Sequence, residues 1–118
     1  MYLIEISAST DGPFEAMEAY VDSGAIYTQV PASILERMGV KVIDTAAFIT
    51  ADGRSSQSSI GEVTIRIDGR ERQSICVFGE EGTPPLLGAY TLEAFLLGVD
   101  PVNGTLVRIE GLRLGRLP

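Results

Sequence analysis

The stretch Tyr20-Val21-Asp22-Ser23-Gly24-Ala25 sets a carboxylate directly after an apolar run. A strand with one buried face would deliver Asp22 to a fixed place. Gly24 lets the backbone turn and approach a ligand closely, and Ser23 supplies a hydroxyl beside the acid. The same residues also read as an ordinary Asx-type turn, in which Asp22 only starts a chain reversal. The local pattern leaves both readings open.

Upstream, Tyr2 to Ser7 is short and rich in strand formers, Asp11-Gly12-Pro13 turns, and Phe14 to Val21 returns, which predicts a hairpin. Downstream, Pro31 to Gly39 has proline at a first helical position and glycine at the stop, so it predicts a two-turn helix. Val40 to Thr50 reads as strand, and Asp52 to Ser59, polar and small, as an exposed loop or hairpin tip. Val63 to Ile67 alternates cleanly, Asp68-Gly69 turns and Gln73 to Phe78 returns, the strongest hairpin signal in the chain. After the Gly/Pro-rich 79–85 comes Leu86-Leu87-Gly88-Ala89. A second helix is expected over Thr91 to Leu97, with Thr91 as N-cap and Gly98 as stop. A turn and last strand follow, hinged at Asn103-Gly104. The pattern is a single all-β domain over 1–118 with two short helices. Apolar strand, Gly-Ala, short helix and Gly-Val occur twice, at Val21 to Val40 and at Leu86 to Val99. By itself that echo does not separate duplication from chance, since Gly-stopped helices are common.

Composition removes most catalytic chemistry. The 118 residues contain 9 Lys+Arg, 16 Asp+Glu and no histidine, for a net charge of −7. Without His, neither Ser-His-Asp nor Cys-His catalysis nor a His-ligated metal can be built. A lone cysteine, Cys76, excludes an intrachain disulfide, a Cys₄ zinc site and an iron–sulfur cluster. Lys41, the single lysine, alternates with apolar neighbours as a solvent-facing strand residue would, with no phosphate-binding glycine loop around it. The scattered arginines and the acidic balance argue against nucleic acid as a partner. No apolar stretch reaches the roughly 18–20 residues of a membrane span, and the first residues lack a basic and then apolar leader pattern. A soluble protein of a reducing compartment, the cytoplasm, is the expectation. Carboxylates, hydroxyls and backbone groups are what remain for chemistry.

At this point the chain resembles the retropepsin-like aspartic peptidases. Their signature, an apolar residue and then Asp-Ser/Thr-Gly-Ala, is matched by Val21-Asp22-Ser23-Gly24-Ala25, followed by the Pro-led helix. Their second mark, two apolar residues and Gly before a C-terminal helix, is matched by Leu86-Leu87-Gly88. The order and spacing of elements fit from about Tyr2 to Val107, leaving 108–118 as a C-terminal strand or tail, and the echo fits the duplicated half-lobe of that family. The resemblance implies a single-lobe closed β-barrel that works as a C₂ homodimer. Peptide hydrolysis of this kind needs two carboxylates sharing one proton across a water, because two such charges a few ångströms apart cannot both ionise. The sequence holds one Asp-Ser/Thr-Gly, so one chain supplies half a site and a second copy must complete it. By that resemblance Asp22 is the catalytic group, Ser23 braces the paired loops, and Gly24 and Ala25 complete the active-site loop. Thr50, Ala51, Asp52 and Gly53 belong to a flap over an extended peptide, while Ile26 and Leu86 line the cleft. An ordinary solvated hairpin, and core positions for Ile26 and Leu86, stay open as alternatives. No cofactor and no metal are implied.

The chain departs from viral members at two linked positions. Where those carry an acid after the signature and an Arg after the second glycine, this chain has Ile26 and Ala89. Both partners are missing together, so no buried charge is stranded. Dimer support would come from elsewhere, with Leu106 to Ile109 or Leu112 to Leu117 as the candidates. The expected function is aspartic endopeptidase. A peptide-binding or dimerisation module with little turnover is the alternative, and a carboxylate metal-binding domain a third, which the isolated acids do not favour.

Overall fold

Asp68 and Gly69 both take positive φ, 50° and 81°, in the computed structural model, which describes residues 1–49 and 52–109. Two left-handed residues in a two-residue loop make the turn whose twist matches that of paired strands. It joins β5 (Ser55–Ile67) to β6 (Arg70–Gly79), in register from Ile67 against Arg70 to Ile60 against Val77. The first hairpin pairs β1 (Tyr2–Ser7) with β2 (Glu15–Val21), and β1 also pairs antiparallel with β5 through Ile6 and Ile65. Beyond β2, the chain forms β3 (Thr28–Pro31), which runs parallel to β6. The two-residue β7 (Leu86–Leu87) inserts between β2 and β3, parallel to the first and antiparallel to the second. The order β1-β2-β7-β3-β6-β5 returns to β1, so six strands close into a barrel and leave no free edge within that ring.

Ile4, Ile6, Val30, Val63, Ile65, Cys76 and Leu87 fill the barrel, all nearly or wholly out of water. Burying an aliphatic side chain of this size contributes on the order of 1.5–3 kcal/mol. Leu35 from α1 (Ala32–Met38) and Leu92 from α2 (Ala89–Ala94), with Phe95, cover the same core.

Helix α1 begins one residue later than expected, with Pro31 as its N-cap. Gly39 ends it at φ 85°, where its N–H donates to the Glu36 carbonyl and the next N–H, of Val40, to that of Leu35. The second helix departs further from expectation. It spans Ala89–Ala94 with Gly88 as N-cap, and Thr91 lies inside it, fully buried. The Thr91 hydroxyl is engaged by Thr28 and Ser74 and so is not available to cap. Leu96, at φ 55°, turns the chain out of the helix, and Gly98 belongs to β8 (Leu97–Val99), not to a helix stop. The second copy of the internal echo therefore ends in strand. Strand β8 pairs with β9 (Leu106–Arg108), and the connecting loop is held by Asp100, whose carboxylate accepts from the Val102 N–H and the Asn103 amide.

Strand β4 (Val42–Ile49) pairs with β5 alone. Together β4 and Ser55–Ser59 make a two-stranded arm extending from the ring, with Ala46 opposite Ser58 and Phe48 opposite Ser56. Of the two expectations for Asp52 to Ser59, loop or hairpin tip, the hairpin tip is observed, but it is confined to Asp52–Arg54, and Ser55–Ser59 are strand. Pairing against β4 overrides the weak strand preference of serine. Thr50, Ala51 and the expected strand at Leu112 to Leu117 lie outside the described residues.

Candidate functional site

Because β7 separates β2 from β3, the link between those two strands has to pass around the end of β7. That link is Asp22 to Tyr27. It is fastened at several points: the Asp22 N–H donates to the Leu87 carbonyl at 3.0 Å, the Ala89 N–H to Ala25 at 2.7 Å and the Tyr90 N–H to Ile26 at 2.9 Å. Within the loop, Asp22 Oδ1 accepts from the Gly24 N–H at 2.9 Å, and the Ala25 N–H donates to the Asp22 carbonyl. The Asx turn and the presentation of Asp22 at a strand end, two competing readings of the sequence, are thus features of one loop. Asp22, Ser23 and Gly24 are exposed.

A buried chain of hydroxyls stands behind the loop. The Gly88 N–H donates to Thr28 Oγ1 at 3.1 Å, Thr28 Oγ1 lies 2.5 Å from Thr91 Oγ1, and Thr91 Oγ1 lies 2.8 Å from Ser74 Oγ. If each hydroxyl donates to the next, the chain ends at the Ile75 carbonyl, 3.2 Å from Ser74 Oγ, and every member is satisfied. Thr28, Thr91 and Ser74 are buried polar residues joining three elements, β3, α2 and β6. They tie the base of the loop to the barrel. The sequence reading missed them, since threonine and serine in a β-rich chain carry no periodic signal of partnership.

Beside the loop runs a cleft of about 530 Å³, between Gly24–Tyr27, the inner face of the arm at Phe48, Ser56 and Ser58, and the end of β6. Ile26 lines it and is 67% exposed. Tyr27 packs edge-on against Phe48 with ring centres 6.2 Å apart, which links the loop to the arm. Leu86 is half-buried between Tyr20 and Gln29 in the β-ladder and is not one of the cleft's lining residues. Asp52 and Gly53 sit at the tip of the arm, where Asp52 pairs with Arg54 at 3.2 Å. Gly53 has φ 83°, which only glycine adopts without strain.

Among the described residues no three of His, Cys, Asp and Glu gather as metal ligands would, and no helix is long and apolar enough to cross a membrane. Burial pushes the Cys76 thiol up to about 12, so it is not a nucleophile at neutral pH.

The simian foamy virus (mac) protease, a solution structure, superposes with a TM-score of 0.57 at 24% identity, over 78% of this chain and 90% of that one. A retropepsin-like aspartic protease from Rickettsia conorii superposes at 0.56 with 21% identity, over 82% and 83%. This chain has the retropepsin-like fold. The retroviral protease-like domain of Ddi1 from Leishmania major superposes at 0.55 with 18% identity, over 100% of this chain and 94% of that one. No protein-family model and no curated protein matches the sequence. Against the retropepsin-like fold, the all-β barrel with two short helices expected from the sequence is the architecture observed.

Proposed function

We propose that the chain is half of an aspartic endopeptidase, completed by a second copy across a two-fold axis. The observation that supports this best is Asp22 itself. It is the acid of an Asp-Ser-Gly loop, exposed at the end of a barrel strand, fastened through its own backbone, and next to a cleft walled by a two-stranded arm.

In the dimer, Asp22 and the partner's Asp22 share one proton. The ionised carboxylate removes a proton from water as the oxygen attacks the scissile carbonyl carbon, and the protonated acid gives its proton to the carbonyl oxygen. Collapse of the tetrahedral intermediate returns a proton through the dyad to the amide nitrogen, and the C–N bond breaks. Ser23 braces the two loops against each other. The arm, with the Asp52–Gly53 turn at its tip, closes over an extended peptide and sheds water from the cleft. Ile26 contributes an apolar wall. Leu86, the other apolar candidate for the cleft, is held half-buried in the β-ladder between β2 and β3. The reaction asks nothing of a cofactor or metal, and the partners are a second copy and a peptide or protein substrate.

The second reading, a peptide-binding module without turnover, draws on Ile26 and Ala89, which leave the loop without the ion pair of viral members. Incubation with a degenerate peptide library at pH 4–6, for the native chain and Asp22→Asn, with mass followed by sedimentation, separates the two. Cleavage by a dimer that Asp22→Asn abolishes is the expected result. Equal binding by both proteins without cleavage selects the module, and a strictly monomeric active protein overturns the half-site.

A further inference from the structure

Among the described residues lining the cleft, Glu80 is the only charged one. It directly follows Gly79, the last residue of β6, and its backbone is held in a tight turn: the Glu80 carbonyl accepts from the Thr83 hydroxyl at 2.6 Å and from the Thr83 N–H at 3.4 Å. No hydrogen bond or ion pair engages its carboxylate among the described residues. The neighbouring Glu81 differs, because Ser33 donates both its N–H and its hydroxyl to that carboxylate. Two adjacent acids thus play different parts. Glu81 ties the turn to α1, and Glu80 stands free at the cleft wall.

The rest of the lining is neutral. Ile26, Ile49, Phe48, Val77 and Phe78 give it an apolar character, and Ile26 and Ile49 leave 67% and 79% of their surface to solvent. A ligand that covers these side chains also strips water from Glu80. An unpaired carboxylate losing its hydration opposes binding, whereas a cation brought against it removes that penalty. The chain's net charge of −7, which doubles in a homodimer, draws cationic ligands to the protein in the same direction.

We infer that Glu80 is a specificity-determining residue, and that the cleft selects extended peptides carrying a large apolar side chain with a lysine or arginine close beside it. This deepens the peptidase reading and rests on it. In a C₂ dimer the preference applies on both sides of the scissile bond, because each protomer contributes one Glu80.

The test uses a degenerate decapeptide library to locate the cleaved bond, and then matched peptides with Lys, Gln or Glu at each flanking position. With the native protein, kcat/KM for Lys should exceed that for Gln by about five- to tenfold at one position on each side of the scissile bond, and the ratio should fall as salt is raised. Glu80→Gln should bring the ratio near unity, and Glu80→Lys should turn it in favour of Glu. The Glu80 side chain holds no other element, so neither variant is expected to disturb folding. A preference for Lys that survives in Glu80→Gln, or cleavage with no charge preference, overturns the assignment and leaves the peptidase reading standing. Binding of the same peptides to Asp22→Asn, read by fluorescence anisotropy, separates the remaining outcomes. Lys-selective binding without cleavage by the native protein supports Glu80 and overturns catalysis, while peptides neither bound nor cleaved overturn both.

Discussion

A Cβ built on Gly88 would stand 2.5 Å from the carbonyl carbon of Tyr27 and 2.6 Å from its oxygen. Gly88 begins α2 and Tyr27 ends the Asp22 loop, so the two backbones touch where the loop is fastened to the helix. The neighbouring N–H groups of Ala89 and Tyr90 reach Ala25 and Ile26 only because this contact is so close.

Gly88→Ala is therefore expected to be severely destabilising. The obstacle is backbone, which cannot rotate away, so the loop must lift from α2 and surrender its hydrogen bonds. A loss of about 3 kcal/mol or more, or failure to accumulate folded protein, is the expected outcome of urea unfolding. A loss under about 1 kcal/mol would mean that the loop is not held in this way.

Thr91→Val leaves Thr28 and Ser74 each short of a buried partner and should cost about 1–3 kcal/mol in the same measurement. Thr91→Ser, which restores the hydroxyl, should recover most of that loss. Similar costs for the two variants would point to lost methyl packing instead of the hydroxyl chain.

Asp22→Asn retains an oxygen able to accept from the Gly24 N–H, so the Asx turn and the thermal midpoint should be nearly unchanged. Hydrolysis should fall by about 10²–10⁴-fold or more, since an amide neither takes up nor releases the shared proton. A folded variant with activity near native would remove Asp22 from the reaction.

Cys76 should resist thiol reagents in the native protein at pH 8 and react once the protein is unfolded in guanidinium. Its thiol is buried and its pKa is pushed up to about 12. Rapid native labelling would show that the barrel opens around β6.

Stability should decline as the solution is acidified below about pH 4–5. Hydrogen bonds from Arg37 hold Glu15 below its ordinary value, those from Ser33 hold down Glu81, and those from the Val102 N–H and the Asn103 side chain hold down Asp100. A carboxylate depressed in the folded state contributes stability above its unfolded pKa and loses it as pH falls through the folded one. Glu81 is exposed and Glu15 and Asp100 are only half-buried, so solvent screening keeps each contribution small. Glu81→Gln should flatten the decline of the thermal midpoint between pH 5 and pH 3, and an unchanged slope would remove Glu81 from the account.

The strands of the first hairpin and of β5–β6 were legible because alternation and two-residue turns are local properties, and Asp68-Gly69 carries its turn in its own backbone preferences. Helix α1 was legible to within a residue for the same reason, through Pro31 and Gly39. The second helix was misread at both ends. Thr91 looks like a cap only when Thr28 and Ser74, distant in sequence, are left out. Ser55–Ser59 reads as exposed loop or hairpin tip until β4 lies beside it.

The same division holds for the site. Asp22, its loop and the lack of a second Asp-Ser/Thr-Gly follow from residue identity and short spacing, as does the exclusion of histidine chemistry. The threading of β7 between β2 and β3, with Leu86 in that strand, and the place of Glu80 among the cleft's lining residues were decided by the tertiary structure alone. Local backbone preference acts over a few residues, whereas these features come from closing a barrel that brings segments some 60 positions apart into contact, as Thr28 and Gly88 are.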